Sequence, residues 1–117
     1  MKMRHVTIQT QEFEKELEFY QKYAGLTVQR RMVNAGRNMA FLADKEGDTE
    51  IEIIGVSGAL DSGNENLSIG FGTEDLDGIY QRLKDDGFGP SDFFTPNPSV
   101  RFFFVKDPAG VRVQFIV

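Results

Sequence analysis

The strongest constraint on the fold is an internal repeat that runs through the whole chain. Strand and helix signals follow the order β-α-β-β-β over residues 1–55, and the same order returns over residues 67–117 after a small and polar linker over 56–66. The offset is nearly constant, since Ser68 follows His5 by 63 positions at the equivalent place in its strand. A module of this size cannot bury a sheet face alone, so we expect the 117 residues to form a single domain of two modules.

Each repeat contains one amphipathic helix that ends at a glycine. Apolar residues at helical spacing predict the first helix from about residue 10 to 24 and the second over 74–86. Thr73 is placed to cap the second helix, because a hydroxyl before the first turn accepts a backbone N–H hydrogen bond. Gly25 and Gly87 stand 62 positions apart and tolerate the positive φ with which helices commonly end.

The bulk composition excludes several classes of function. A net charge of −5 and a sequence pI near 4.8 argue against nucleic-acid binding, which needs clustered Lys and Arg. The absence of cysteine excludes thiol nucleophiles, disulfides and zinc sites built on thiolates. No apolar run approaches the length of a membrane span, and the start of the chain lacks an apolar export segment. We therefore expect a cytoplasmic protein with neither a nucleic-acid nor a membrane partner.

Apolar and polar side chains alternate in the first and last strands of each repeat. Neighbouring side chains of a strand point to opposite faces, so each parity defines one face of the sheet. The apolar parity comprises Val6, Ile8, Ile51, Ile53, Ile69, Phe71, Val113 and Phe115. The polar parity comprises His5, Thr7, Glu50, Glu52, Ser68, Gly70, Gly72, Arg112 and Gln114. We expect helices to cover the apolar faces and the polar faces to curve together into a cavity. Gly70 and Gly72 indicate either a ligand that approaches the sheet closely or a β-bulge.

The chain closes with a β-hairpin around a tight turn. Two runs rich in β-formers, 100–105 and 111–117, flank the sequence Asp-Pro-Ala-Gly at 107–110. Proline presets φ early in such a turn, and glycine tolerates the positive φ that ends it. A proline-rich stretch over 90–99 makes the preceding strand short and edge-like.

These features together resemble the vicinal oxygen chelate superfamily, which includes glyoxalase I, bleomycin-binding resistance proteins, fosfomycin-resistance transferases and extradiol dioxygenases. The resemblance covers essentially the whole chain. It is carried by the stretches His5–Ile8, Glu18–Tyr20 with Gly25, Ile51–Ile53, Ser68–Phe71 and Phe104–Phe115. It implies an α+β fold in which two tandem β-α-β-β-β modules form a cupped mixed sheet with helices on its outer face. It also implies a homodimer.

The resemblance further implies a set of metal-ligand positions on the first and last strands of each module. In this chain those positions hold His5, Glu52, Ser68 and Gln114. His5 and Glu52 are good ligands, and the Gln114 carbonyl oxygen is a tolerable one. The Ser68 hydroxyl at the fourth position is poor. We therefore expect either no cofactor or one divalent metal, Ni, Zn, Mn or Fe, with Glu52 as the catalytic residue. The single histidine argues against the two-His-one-carboxylate triad of iron-dependent oxygen chemistry.

Several residues are candidates for ligand binding in the expected cavity. They are His5, Thr7, Glu50, Gly70, Arg101, Phe103 and Arg112. Some have plain structural alternatives. His5 can be an ordinary hydrogen-bonded residue, and Arg112 can form a salt bridge with Glu52. Arg101 can orient an anionic ligand or decorate an edge strand. Alternate phenylalanines of the 102–104 run reach both faces of the sheet, so some of their rings can line the cavity.

The sequence is compatible with three functions. The favoured one is a protein of the glyoxalase and bleomycin-resistance type that binds and sequesters a small-molecule ligand and has a degenerate metal site. The alternative is a divalent-metal-dependent lyase or isomerase that uses His5, Glu52 and Gln114. The third is a non-catalytic interaction module. The ligand itself cannot be named, because the pocket shape depends on the loops 55–66 and 90–99.

Overall fold

The structure of the protein is a computed structural model that describes residues 1–58, 60 and 66–117. It divides into two compact units, Met1–Asp61 and Ser62–Val117, which contain one repeat each and are described separately.

The predicted linker over 56–66 lies largely on residues 59 and 61–65, which are outside the described residues. Within the described ranges, no helix is long and apolar enough to cross a membrane.

Unit 1 contains a four-stranded sheet and one helix. Its elements are β1 (His5–Thr10), α1 (Phe13–Lys22), β2 (Thr27–Asn34), β3 (Arg37–Ala43) and β4 (Glu50–Gly55). The strands lie in the order β1-β4-β3-β2, with β1 parallel to β4 and the other neighbours antiparallel. The helix and the β2–β3 hairpin together form the long connection that a parallel pair requires.

Helix α1 covers one face of this sheet by packing against β3 and β4. The apolar parity of the strands points to the helix. The buried core of the unit comprises Ile8, Phe13, Leu17, Phe19, Tyr20, Leu42, Ile51 and Ile53. Each large apolar side chain contributes about 1.5–3 kcal/mol on full burial. We call the opposite face, which α1 does not cover, the helix-free face of unit 1.

Unit 2 repeats this arrangement. Its elements are β5 (Ile69–Gly72), α2 (Leu76–Asp85), β6 (Phe94–Asn97), β7 (Val100–Lys106) and β8 (Arg112–Ile116). The strand order is β5-β8-β7-β6, with β5 parallel to β8 and the other neighbours antiparallel. Tyr80 of α2 packs edge to face on Phe103, with ring centroids 5.2 Å apart. The face opposite α2 is the helix-free face of unit 2. Two mixed four-stranded sheets with one helix each confirm the predicted α+β fold.

The two units also share the way in which the chain enters each helix. The Thr10 hydroxyl accepts a hydrogen bond from the Glu12 N–H at 2.9 Å, and the Thr73 hydroxyl accepts one from the Asp75 N–H at 3.0 Å. Asp75, not the predicted Thr73, caps α2, because its carboxylate accepts a hydrogen bond from the Gly78 N–H at 3.2 Å. A carboxylate is the stronger acceptor at the positive end of a helix dipole.

The glycine and turn predictions agree with the backbone. Gly25 and Gly87 have φ of +67° and +84° just after the two helices. In the closing turn, Gly110 has φ of +86°, and its N–H donates to the carbonyl oxygen of Asp107 at 2.9 Å. These are positions at which other L-residues are strained.

Candidate functional site

The helix-free face of unit 1 carries a cluster of charged and aromatic side chains. Across the parallel pair of β1 and β4, the register places His5 beside Glu50 and Thr7 beside Glu52. In the antiparallel pair of β3 and β4, Phe41 stands opposite Glu52. These side chains share a face because the alternate apolar residues of the same strands point to α1. We call His5, Thr7, Arg30, Phe41, Glu50 and Glu52 the charged cluster.

Arg30 and Glu50 form a bidentate ion pair in this cluster. The two terminal nitrogens of Arg30 donate to the two carboxylate oxygens of Glu50 at 2.7 and 2.9 Å. The guanidinium carbon also lies 4.1 Å from the ring centroid of Phe41. The hydrogen bond from Arg30 lowers the pKa of Glu50 below its ordinary value, and the same contact raises the pKa of Arg30. Both groups are therefore ionised at neutral pH, and their pairing holds the Arg30 guanidinium beside the Phe41 ring.

A β-bulge places Arg30 on this face. Strands β2 and β3 pair Val28 with Leu42, and after a one-residue shift they pair Arg30 with Phe41. Without the shift, Gln29 would stand opposite Phe41 and Arg30 would point to the helix side, because a one-residue slip exchanges the two faces of a strand. Alternation in the sequence does not reveal such a bulge, which is why Arg30 is absent from the predicted site.

Glu52 is a half-buried carboxylate that contacts two donors of its own unit. Its side chain is 12% exposed, and its Oε1 accepts a hydrogen bond from the Thr7 hydroxyl at 2.6 Å. The same oxygen lies 3.7 Å from Nε2 of His5. The His5 ring stands edge-on to Phe41, with centroids 6.2 Å apart. An imidazole beside a carboxylate is an arrangement suited to moving a proton, to holding a cation and to binding a polar ligand.

The charged cluster supplies two of the four predicted metal-ligand positions. The donor atoms of His5 and Glu52 are 3.7 Å apart, which allows both to bind the same ion. The other two positions, Ser68 and Gln114, belong to unit 2. Among the residues that the structure describes, no group of three or more His, Cys, Asp or Glu side chains is placed to hold a metal ion. Unit 1 by itself thus offers two strong ligands, whereas catalytic zinc sites usually have three protein ligands.

The helix-free face of unit 2 is aromatic where that of unit 1 is charged. Phe94, Phe102 and Phe104 contact one another, with ring centroids 5.3, 5.6 and 5.9 Å apart. The guanidinium of Arg112 lies 3.8 Å from the ring centroid of Phe104. Phe94 remains 46% exposed. We call Phe94, Phe102, Phe104 and Arg112 the aromatic cluster.

Strand β5 has no side chains on this face. Gly70 and Gly72 pair with Gln114 and Ile116 of β8 in an unbroken register, so the bulge that the two glycines allowed is not present. A Cβ added to Gly72 would meet no heavy atom within 4 Å, and one added to Gly70 would meet only Oε1 of Gln114, at 3.4 Å. Neither glycine has a positive φ. The backbone therefore does not require glycine at either position, and we call the two residues the glycine shelf.

The structure places most predicted site residues on the helix-free faces. In unit 1 these are His5, Thr7, Glu50 and Glu52, and in unit 2 they are Gly70, Arg112 and Gln114. Ser68 comes just before β5, which begins at Ile69. Within unit 1, Glu52 has Thr7 and His5 as its neighbours, and within unit 2, Arg112 lies on Phe104. The salt bridge of Glu52 with Arg112 would join the two units and stays a prediction.

Arg101 and Phe103, which the sequence predicted as ligand-binding residues, do not lie on the helix-free face of unit 2. Both take the parity that points to α2, because the hairpin register pairs Phe104, and not Phe103, with Gln114. Phe103 is fully buried in the core. Arg101 binds the Asp77 carboxylate at 3.0 Å on the helix side.

The aromatic cluster was only partly predictable from the sequence. The 102–104 run is apolar at every position, so alternation cannot decide which rings face the helix. The closing turn contains the missing signal. The N–H of Asp107 donates to the carbonyl oxygen of Val111 at 2.9 Å, so these two residues close a three-residue loop over 108–110. Counting back from that pair sets Lys106 opposite Arg112 and Phe104 opposite Gln114, on the polar face.

The sequence matches a known family over nearly its whole length. The sequence profile of the Glyoxalase/Bleomycin resistance protein/Dioxygenase superfamily matches residues 2–115. No curated protein matches the sequence.

Several solved structures share the fold at low sequence identity. The trypanothione-dependent glyoxalase I of Leishmania major is 18% identical, with a TM-score of 0.84 over 99% of this chain and 86% of that one. A possible glyoxalase from Bacillus cereus is 24% identical, with a TM-score of 0.79 over 100% and 99%. An antibiotic-binding protein from Streptomyces sp. CB03234 is 18% identical, with a TM-score of 0.75 over 98% and 93%. At these identities the similarity establishes the fold alone.

Proposed function

Because the chain belongs to the Glyoxalase/Bleomycin resistance protein/Dioxygenase superfamily, we propose that it binds and sequesters a small molecule. Members of this superfamily bind small molecules, and the similar structure from Streptomyces sp. CB03234 is that of an antibiotic-binding protein. The binding surfaces are the helix-free faces of the sheets. In unit 2 the aromatic cluster provides apolar contact area, and Gln114 and Arg112 on the same face provide hydrogen-bonding groups. In unit 1 the charged cluster offers polar groups of its own.

The observation that carries this proposal is the exposed aromatic cluster. Phe94 is 46% exposed, while Phe102 and Phe104 are half-buried and held in place by contacts with each other. Full burial of a phenylalanine side chain is favourable by about 1.5–3 kcal/mol, so a ligand that covers these rings gains part of that free energy. Aromatic side chains around a few polar groups are typical of small-molecule sites.

Sequestration of a ligand requires fewer specialised residues than catalysis does. It needs complementary surface and no reactive group, and it fits a metal-ligand set in which Ser68 replaces a strong ligand. The polar groups of the charged cluster already satisfy one another through the Arg30–Glu50 pair and the Thr7–Glu52 hydrogen bond. Such preorganised polar groups can orient a ligand with little loss of side-chain entropy.

One observation favours the second candidate, a metal-dependent lyase or isomerase. His5 Nε2 and Glu52 Oε1 are 3.7 Å apart on one face. In that candidate His5, Glu52 and Gln114 would hold a divalent ion, whose chemistry is to polarise a carbonyl or enediolate oxygen. Glu52 would move the proton, and the Thr7 hydroxyl, which donates to Glu52 Oε1 at 2.6 Å, would keep that carboxylate in position.

A thermal-shift screen with a metal assay separates these candidates. Wild-type protein and Glu52→Gln are purified without chelator or affinity tag, analysed for metal by mass spectrometry, and then melted with Ni, Zn, Mn or Fe and with a compound library. Sequestration predicts that compounds raise Tm in chelator-treated protein. The enzyme candidate predicts near-stoichiometric metal that Glu52→Gln loses. A protein that responds to no compound and no ion would contradict both and favour the interaction module.

The oligomeric state is a separate proposal. We propose that the protein is a homodimer, as the family resemblance implies. Light scattering coupled to size-exclusion chromatography measures the mass directly, and a mass of 13.2 kDa, that of one chain, would contradict the proposal.

A further inference from the structure

We propose that the ligand bound by unit 2 is a planar aromatic anion, which lies on the glycine shelf and directs its negative group to Arg112. This inference rests on the proposed small-molecule function and adds the chemical class of the ligand. It depends on three independent features of one sheet face: the missing side chains of β5, the rings of the aromatic cluster, and a guanidinium with unused donors.

The glycine shelf provides a flat floor. With no Cβ at Gly70 or Gly72, the backbone of β5 is directly accessible on this face, and the space beside Gly72 is open to at least 4 Å. Two glycines at alternate positions of a short strand are costly for the strand, and neither has the positive φ that would demand glycine. A flat group that must approach the strand backbone closely accounts for both.

The aromatic cluster provides the side wall. In the sheet, Gly72 pairs with Ile116, Ile116 pairs with Phe102, and Phe102 pairs with Phe94. With strands about 4.8 Å apart, the row from β5 to β7 is roughly 10 Å wide, which is enough for one fused-ring system. The side chain of Ile116 lies in the middle of this row, between Gly72 and Phe102. A flat ligand on the shelf would therefore contact Ile116 on β8 and reach the phenylalanine rings with its far edge, where edge-to-face contacts are favourable.

Arg112 provides the charge recognition. Its guanidinium carbon lies 3.8 Å from the ring centroid of Phe104. A cation–π contact of this kind uses none of the N–H donors of the guanidinium. Among the described residues, the structure gives Arg112 no carboxylate partner. This contrasts with Arg30, Arg31 and Arg101, which all bind acidic side chains. A stacked arginine without an acidic partner is suited to bind a carboxylate or similar anion through two parallel hydrogen bonds.

The register places the charge at one end of the shelf. Because β5 and β8 are parallel and Gly70 pairs with Gln114, Arg112, two residues before Gln114, lies beyond the Gly70 end of the shelf on the same face. The Gln114 amide lies between, with its Oε1 beside Gly70. A ring system on the shelf therefore has a hydrogen-bonding amide beside it and a cation beyond one edge. This arrangement fits a ligand with an acidic substituent at one end of a flat body.

Calorimetric titrations with three small probes test this proposal. The probes are 2-naphthoate, its neutral counterpart 2-naphthalenemethanol, and cyclohexanecarboxylate, which has the charge without the flat rings. The variants are Arg112→Gln, which removes the cation, and Gly72→Val, which fills the shelf at a position with ordinary φ and open space. Arg82→Gln makes the same charge change on the exposed surface of α2 and serves as the matched control.

We expect 2-naphthoate to bind at least tenfold more tightly than either of the other two probes. Arg112→Gln should weaken 2-naphthoate about tenfold or more and leave the alcohol within about threefold, because a hydrogen bond to a charged group is lost only for the anion. Gly72→Val should weaken both aromatic probes about tenfold. Arg82→Gln should change neither. Amide chemical shifts of Gly70 and Gly72 in the wild-type protein locate the probe without any variant.

Each other outcome overturns the inference. Equal affinity for the naphthoate and the alcohol would exclude anion recognition, and insensitivity to Gly72→Val with unchanged glycine amide shifts would exclude the shelf. If none of the three probes binds while library compounds still raise Tm, the ligand class is wrong and the small-molecule function stands. If no compound of any class binds, the proposed function fails together with the inference.

Discussion

The carboxylate of Asp107 should be the main support of the closing hairpin, which positions Gln114 and the aromatic cluster. Asp107 is 4% exposed, and its Oδ1 accepts hydrogen bonds from the N–H groups of Ala109 at 2.9 Å and Val111 at 2.8 Å. The Asp107→Ala substitution removes both. A hydrogen bond to a charged acceptor contributes about 1.5–3 kcal/mol. Because Ala109 and Val111 are only half-buried, water can replace part of each bond. We therefore expect a loss of about 2–3 kcal/mol in the free energy of unfolding.

Urea unfolding followed by far-ultraviolet circular dichroism measures this loss. With a slope of about 1–3 kcal/mol per molar urea for a small protein, Asp107→Ala should lower the midpoint by about 0.7–3 M. Asp107→Asn is the matched control, because its side-chain oxygen keeps the acceptor and loses only the charge. It should lose less than half as much free energy as the alanine variant. Equal losses for the two variants, or a loss below about 0.5 kcal/mol for alanine, would refute the role of the acceptor.

Three further predictions concern the backbone, the ion pair and the core. Gly25→Ala and Gly87→Ala should each lower the free energy of unfolding by about 1 kcal/mol in the same urea assay, because both glycines have a positive φ near the left-handed region. If neither variant loses stability, the positive φ after the helices does not require glycine. Arg30 lowers the pKa of Glu50 in the folded protein from the ordinary value of 4.5. As the pH falls, the Glu50 carboxylate of the unfolded chain is protonated first, so the free energy of unfolding should decrease as the pH drops below 4.5. Arg30→Met should flatten this dependence, measured as Tm against pH, and an unchanged slope would show that the pair is not its source. Phe103→Leu should lower the free energy of unfolding by about 1–2 kcal/mol without weakening ligand binding, since the ring is fully buried on the helix side. A loss of ligand affinity at unchanged stability would show that Phe103 contacts the ligand.

The repeat and the alternation of the outer strands predicted most of the fold. Both signals are redundant, because each is present twice in the chain and each is tied to a physical requirement of a half-buried sheet. The ends of the helices were less predictable. Thr73 and Asp75 are both capping residues in the same short stretch, and only the backbone geometry decides that the carboxylate of Asp75 caps the helix.

The site was predictable where polar and apolar residues alternate and unpredictable elsewhere. His5 and Glu52 stand between apolar neighbours, so their face follows from parity alone. Phe102 and Phe103 stand in a run without polar residues, and the face of each is fixed only by the pairing of β7 with β8. Arg30 reaches the charged cluster through a bulge, a local event that side-chain periodicity does not encode.

The most direct test of small-molecule binding is a calorimetric titration with the compound that raises Tm most in the screen. Wild-type protein, Phe102→Ala and His5→Ala are titrated in buffer that contains a chelator. Binding through the aromatic cluster predicts that Phe102→Ala weakens the affinity about tenfold or more, while His5→Ala changes it less than about threefold. If instead the chelator or His5→Ala abolishes binding and Phe102→Ala leaves it intact, the aromatic cluster is not the binding surface and the metal-dependent function replaces sequestration.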